Sequence, residues 1–328
     1  MNGIEIIGTG SYLPELIVSN DDLSKIMDTN DQWISSRTGI RERRISEGEN
    51  TSDLAAKAAI SAMEDANITA EEIDLMIVAT TSPDYFVPST ACVVQSKIGV
   101  HNAVCFDISA ACSGFIYAME IARNFMQDGR YKKALIIGAE VLSKILDWKD
   151  RGTCVLFGDG AGAAVLSSSH REAIVDIKIA SEGDKWSSLT CKTAFVENPY
   201  IEKEVLEKEL EGNLKIGMNG KDIFKFAVTT IANSVTAALK NTGYSIEDIK
   251  YIVPHQANLR IIDFAAKKLG VDESKFYINL NKYGNTSGAS VPIALDEMNK
   301  KGLLKKGDKI ILVAFGGGLT WGYSLIQW

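Results

Sequence analysis

The feature that most restricts what this chain can fold into is a repeat. The stretch AMEDANITAEEIDLMIVA (Ala62 to Ala79) lies without gaps on ALKNTGYSIEDIKYIVPH (Ala238 to His255), at an offset of 176 residues. The same offset carries KALIIG (Lys133 to Gly138) onto KIILVA (Lys309 to Ala314). Two separate segments that keep one register imply two similar halves. β-Branched apolar runs alternate with alanine-rich helical patterns, so each half is predicted to run helix, strand, connection, helix, strand. Such α/β halves must pack face to face to cover their sheets. The expected division is 1–170 and 171–328.

The offset also says where chemistry can collect. Cys112, in DISAACSGF, falls on Gly288 of NTSGASVPIAL, so the two stretches open equivalent helices that can meet near a pseudo-twofold axis. His255 falls on Ala79, at the carboxyl end of the repeated strand, where open α/β sheets form their clefts. The glycines Gly316 to Gly318 follow the last repeated strand, where a close backbone approach is expected. A helix start carries partial positive charge and free N–H groups, which favour a thiolate and can donate to an oxyanion. Taken alone, Cys112 is either a nucleophile or one more small buried thiol, His255 a reactive or a satisfied buried histidine, and Asn285 a donor or a helix cap.

Other classes are excluded more readily. With 35 basic and 42 acidic residues and no block of like charge, the chain is not expected to bind nucleic acid. MNGIEIIGTG has no secretory character, and no apolar run approaches the roughly 18 residues needed to span a bilayer, so a cytoplasmic protein without a membrane partner is expected. Five cysteines without a CxxC pair suggest neither a disulfide framework nor a metal site. His101 and His170 have no supporting constellation and read as surface residues, while GDGAGA lacks the Walker lysine and reads as tight packing.

Seven motifs, in order, then carry a resemblance across essentially the whole chain: GTGSYLP, DQWISSRTGIRERR, DISAACSGF, RGTCVLFGDGAGA, PHQAN, NTSGASVP and FGGGLTWG. The sequence resembles the β-ketoacyl-acyl-carrier-protein synthases III, condensing enzymes of the thiolase superfamily. The resemblance implies a thiolase-like, five-layered αβαβα fold of duplicated halves, a homodimer, and a Cys112, His255, Asn285 active site. It further implies initiation of fatty-acid synthesis by decarboxylative condensation of an acyl-CoA primer with malonyl-acyl carrier protein, through an acyl-cysteine. The N–H groups of Cys112 and Gly317 are then the oxyanion donors. Trp33, Arg37 and Arg151 match residues that hold coenzyme A, Asn258 lies along pantetheine, and Lys225, Arg260, Lys267 and Lys268 match a patch for the acidic carrier protein. No metal or redox cofactor is implied.

Two departures concern specificity. The family usually reads NTSAAS where this chain has Gly288, and often has Phe where it has Val87. In the family the residue matching Val87 reaches across the dimer to close the acyl pocket, so valine implies room for a longer or branched primer. Relatives with the same fold and trio serve specialised pathways of the polyketide or quinolone type, which stay open as an alternative. A noncatalytic binding protein is disfavoured by the intact trio. A cysteine hydrolase would need a base beside the thiol, and the motifs supply none.

Overall fold

The computed structural model describes residues 3–194, 197–210 and 214–328. The apolar runs singled out by the repeat form its central strands. Leu75–Ala79 (β2) is buried at every position, and Lys133–Glu140 (β4) at all but its first, as expected of strands covered on both faces. They pair in parallel, with Leu75 opposite Ala134 and Ala79 opposite Gly138. Gly3–Tyr12 (β1), Val104–Ile108 (β3) and Gly160–Ser169 (β5) complete a five-stranded sheet of order β1-β5-β4-β2-β3.

The second half repeats this with four strands. Ile174–Ser181 (β6), Ile249–Pro254 (β7), Lys309–Gly316 (β8) and Thr320–Gln327 (β9) take the order β7-β8-β9-β6. β7 and β8 are parallel, like β2 and β4. Where a fifth strand would lie beside β7, only an isolated bridge from Ile252 to Phe276 remains.

The helices make the other layers. Asp31–Thr38 (α1) is a short excursion, while Thr51–Asp65 (α2) and Thr90–Ile98 (α3) cover the outer face of the first sheet. Gly114–Met126 (α4) and Ser290–Lys300 lie between the sheets, in one core cluster with Leu75, Ile136, Ile310 and Leu312. Gly220–Thr242 (α5) and Leu259–Leu269 (α6) cover the outer face of the second sheet, and Ser290–Lys300 is α7. The result is the five-layered αβαβα arrangement. The glycines of GDGAGA serve packing: a Cβ on Gly162 would stand 2.6 Å from the Ile293 nitrogen in α7. Among the described residues no helix is long and apolar enough to cross a membrane.

The two middle helices begin alike. Each is preceded by a 3₁₀ turn, Ala111–Ser113 or Ser287–Ala289, and neither has a side-chain cap, whereas α2 and α6 are capped by Asn50 and Asn258. Ala111 and Ser287, 176 residues apart, both hold positive φ, 46° and 48°. That backbone region is costly for residues with a Cβ and is typical of functional turns.

Candidate active site

The turn at Ala111 puts Cys112 at the end of the first sheet, almost fully buried at 7% exposure. Gly316, at the end of β8, passes so close that a Cβ there would stand 2.6 Å from the Cys112 nitrogen. The expected close approach is therefore made by Gly316, while Gly317 and Gly318 line a cavity of about 380 Å³ beside Cys112. Aliphatic walls from Leu142, Ile145, Leu189 and Ile216 make that cavity suited to an acyl chain.

Cys112 also borders a second cavity, of about 120 Å³, lined by His255, Asn285, Asn258, Phe315 and Phe224. His255 follows β7 and is 2% exposed, its ring edge-on to Phe315 with centroids 5.2 Å apart. Its Nδ1 lies 2.7 Å from Ser290 Oγ, which also accepts from the Gln256 backbone N–H at 3.4 Å. That arrangement suits a serine donating to Nδ1, which leaves Nε2 protonated as a donor. Burial pulls the imidazole pKa down to about 3, so the ring is neutral at physiological pH. Asn285 Oδ1 accepts the Ser287 N–H at 2.8 Å, fixing the amide so that its NH₂ group is the end left for the cavity. The loop itself is held by Asn285 N–H to the Leu156 carbonyl and by Gly158 N–H to the Asn285 carbonyl.

The thiol departs from the expectation. A helix start was expected to favour the thiolate, yet burial pushes the Cys112 pKa up to about 12, opposed by the Ser287 hydroxyl and reinforced by the charge of Glu140. Glu140 was not singled out in the sequence. It ends β4, is fully buried, and accepts hydrogen bonds from the Thr81 N–H, the Thr81 hydroxyl and the Ser82 hydroxyl. Ser287 and Ser290 were also missed as individuals, although both lie inside the NTSGASVP motif. The offset held a signal for Glu140 and Ser290, since it pairs them with Gly316 and Gly114.

The other candidates fall into two groups and one outlier. Trp33 of α1 is flanked by two guanidiniums, Arg37 at 4.7 Å and Arg151 at 5.2 Å from its ring centroid. Arg151 donates to the carbonyl and carboxylate of Asp28, and Asn258 donates through Nδ2 to the Arg37 carbonyl at 3.2 Å. Since Asn258 also lines the smaller cavity, this platform stands at its mouth. Lys225 of α5 and Arg260, Lys267 and Lys268 of α6 are exposed on neighbouring helices around the Phe224–Phe264 edge contact. Val87 is the outlier: it is 86% exposed in an apolar tip with Tyr85 and Phe86, and lines neither cavity in the single chain. His101 and His170 are exposed, as expected.

Comparison with known proteins decides the family. Residues 106–183 match the family described as 3-oxoacyl-[acyl-carrier-protein (ACP)] synthase III, and residues 239–328 match its C-terminal counterpart. The β-ketoacyl-[acyl-carrier-protein] synthase III of Clostridium acetobutylicum is 60% identical over 100% of this chain and 99% of its own. The chain belongs to the synthase III family. It is an acyl-transferring condensing enzyme of fatty-acid synthesis. The crystal structure of the synthase III from Aquifex aeolicus VF5 superimposes with a TM-score of 0.91 at 45% identity, covering 99% of this chain and 100% of that one. The priming β-ketosynthase of the R1128 polyketide pathway does so at 0.89 and 34% identity, covering 99% and 96%.

Proposed function

We propose that this synthase III joins an acyl-CoA primer to malonyl-acyl carrier protein through an acyl-Cys112 intermediate. The observation that carries the reading is the convergence on Cys112 of two neutral donors, His255 and Asn285, each fixed by its own hydrogen bond. In the first step the Cys112 sulfur attacks the thioester, with the N–H groups of Cys112 and Gly317 as donors to the oxyanion. The acyl chain occupies the cavity of about 380 Å³. In the second step malonyl loses CO₂, and charge develops on the thioester oxygen as an enolate forms. His255 Nε2–H and the Asn285 NH₂ stabilise that oxygen, and the enolate carbon attacks the acyl group. The coenzyme A end rests on Trp33, Arg37 and Arg151, whose ring and guanidiniums suit a base and phosphates. Lys225, Arg260, Lys267 and Lys268 receive the acidic carrier protein.

Labour is divided between the halves 1–170, with the nucleophile, and 171–328, with the decarboxylation donors. The steps call on no metal or redox group. We read the enzyme as a cytoplasmic homodimer, with the exposed Tyr85, Phe86 and Val87 tip buried against the partner. Incubation with acyl-CoA and malonyl-acyl carrier protein, followed by mass measurement, should yield the 3-oxoacyl product and an acyl adduct on Cys112; a product without the adduct overturns the mechanism. A second reading, priming of a specialised pathway, is favoured by the size and aliphatic lining of the acyl cavity, and a preference for primers that fatty-acid synthesis does not use would establish it.

A further inference from the structure

Within DQWISSRTGIRERR, Arg43 has no part in the proposed chemistry, yet it is the largest fully buried side chain among the described residues. It projects from the short strand Glu42–Arg44, which pairs with Ile17–Ser19. Its guanidinium donates from Nη1 to the Val18 carbonyl at 3.1 Å, and from Nη2 to Asn20 Oδ1 and the Val155 carbonyl, both at 2.9 Å. All three acceptors are neutral, and Nε has no hydrogen bond among the described residues. A buried charge with neutral partners alone is costly. What this charge holds is the backbone next to Asn285. Val155 is followed by Leu156, whose carbonyl accepts the Asn285 N–H at 2.8 Å, and the Gly158 N–H donates back to the Asn285 carbonyl at 3.0 Å. Both segments press on the arginine stem: a Cβ on Gly158 would stand 3.1 Å from the Arg43 Cβ, and one on Gly284 would stand 3.4 Å from it. Arg43 thus packs against both of the chain segments joined by the bridge between Phe157 and Asn285.

We infer that Arg43 is a positioning residue for condensation: by fixing the segment 155–158 it sets where the Asn285 amide stands in the cavity beside Cys112. The inference rests on the reading of Asn285 as a donor to the enolate oxygen. Among the described residues the Asn285 side chain is tied only within its own loop, Oδ1 accepting from the Ser287 N–H at 2.8 Å. Its place in the cavity therefore depends on where that loop is anchored, and the anchors are the Leu156 carbonyl and the Gly158 N–H. A donor to developing charge acts only at hydrogen-bond distance, so slack of about 1 Å in the anchor can cost on the order of 100-fold. Cys112 is supported from elsewhere, its turn resting on Gly316 at the end of β8. Asn20 keeps bonds of its own through Nδ2, to Asp31 Oδ1 and the Ile40 carbonyl, both at 2.8 Å. The helix α1, which carries Trp33 and Arg37, thus stays anchored at Asp31 without the guanidinium. Loss of Arg43 should separate condensation from priming.

The test follows the two half reactions separately in Arg43→Gln, which removes the charge, and in Arg43→Lys, which keeps it but loses the planar fork that serves three acceptors at once. Acylation by saturating acetyl-CoA, read by intact-protein mass, should stay near the wild-type rate in both. Condensation of preformed acyl-enzyme with malonyl-acyl carrier protein should fall about 10- to 100-fold in Arg43→Gln and less in Arg43→Lys, through kcat with KM little changed. A double-substitution cycle then separates positioning from simple support of the fold. In an Asn285→Ala background, Arg43→Gln should lower condensation by no more than about threefold further, because the side chain it acts through is gone. Equal losses in both backgrounds, acylation that falls as far as condensation, or condensation that is unimpaired each overturn the inference. Should Arg43→Gln fail to fold, Arg43→Lys completes the same cycle. An Asn285→Ala enzyme that condenses at the wild-type rate, or a wild type that never acquires an acyl group on Cys112, breaks the underlying mechanism instead.

Discussion

The two halves of the molecule share a backbone and differ in what they hang on it. At the end of the repeated strand the first half has Ala79 and the second His255; at the start of the middle helix the first has Gly114 and the second Ser290. In the first half a Cβ on Gly114 would stand 2.8 Å from the Ala79 Cβ. In the second the same contact has become a hydrogen bond, Ser290 Oγ to His255 Nδ1 at 2.7 Å. The relation inverts elsewhere. Glu140 corresponds to Gly316, and Cys112 to Gly288, so the buried acid and the buried thiol of the first half match glycines in the second. Those glycines are the residues that let the opposite half come close: Gly316 abuts the Cys112 nitrogen, and Gly288 abuts the Ala111 carbonyl. Duplication thus supplied two similar frames. A site arose where each frame was loaded at positions the other left empty.

If the halves divide the chemistry, substitutions should divide it too. Cys112→Ala should abolish the acyl adduct and all condensation. His255→Ala should still acquire the adduct at the wild-type rate while condensation falls by about 100- to 1,000-fold, the usual cost of removing one such donor. A His255→Ala protein that cannot be acylated would collapse the distinction between the halves. Val87 tests the first half alone. At about 0.8 kcal/mol per buried CH₂, three further carbons are worth up to about 50-fold in kcat/KM. The wild type should accept C4 to C6 or branched acyl-CoA at least as well as acetyl-CoA, and Val87→Phe should lose the larger primers selectively. An acetyl preference untouched by the substitution removes Val87 from the pocket.

Arg260 tests the second half alone. Arg260→Glu should raise the KM for malonyl-acyl carrier protein several-fold, most at low salt, because steering of an acidic partner is screened by ions. Acyl-CoA priming should barely change, and equal effects on both substrates would move Arg260 into a shared tunnel. The smallest effect concerns acid. Because the His255 pKa is held near 3, below its ordinary value of 6.5, condensation by preformed acyl-enzyme should show no loss with a midpoint near 6.5 as pH falls from 8 to 5. Such a midpoint would mean that the ring titrates in the working site.

Much of this is legible in the sequence. The offset of 176 residues anticipated the paired strands and the meeting of Cys112 with the loop of Asn285, though not the positive φ that Ala111 and Ser287 share. The repeat is readable because a strand buried on both faces must be apolar throughout, which leaves a dense local pattern. Roles were less legible: the residues alone left Cys112, His255 and Asn285 open, and the resemblance supplied their expected parts. Hidden altogether was the state of the thiol, since local helix polarity argues for ionisation and burial by distant segments argues harder against it. Glu140 escaped notice as one acid at the end of an apolar run, and its buried setting depends on Thr81 and Ser82, 59 and 58 residues away in the chain. Val87 shows the same limit from the other side. Its neighbours in sequence give it no place in a pocket, and on its own chain it is 86% exposed and lines neither cavity.

Cys112, Phe157 and Leu189 belong to both cavities, so under the proposed mechanism the partition between primer and malonyl unit is partly the proposed nucleophile itself. Such an arrangement writes a timetable into space. On that mechanism a primer would have to unload onto the sulfur and retreat into one chamber before anything in the other had a partner to react with. The kinetic expectation is alternation: parallel lines in double-reciprocal plots, and an excess of the later substrate that obstructs the earlier one when it arrives out of turn. The order of events would then be remembered by one covalent bond.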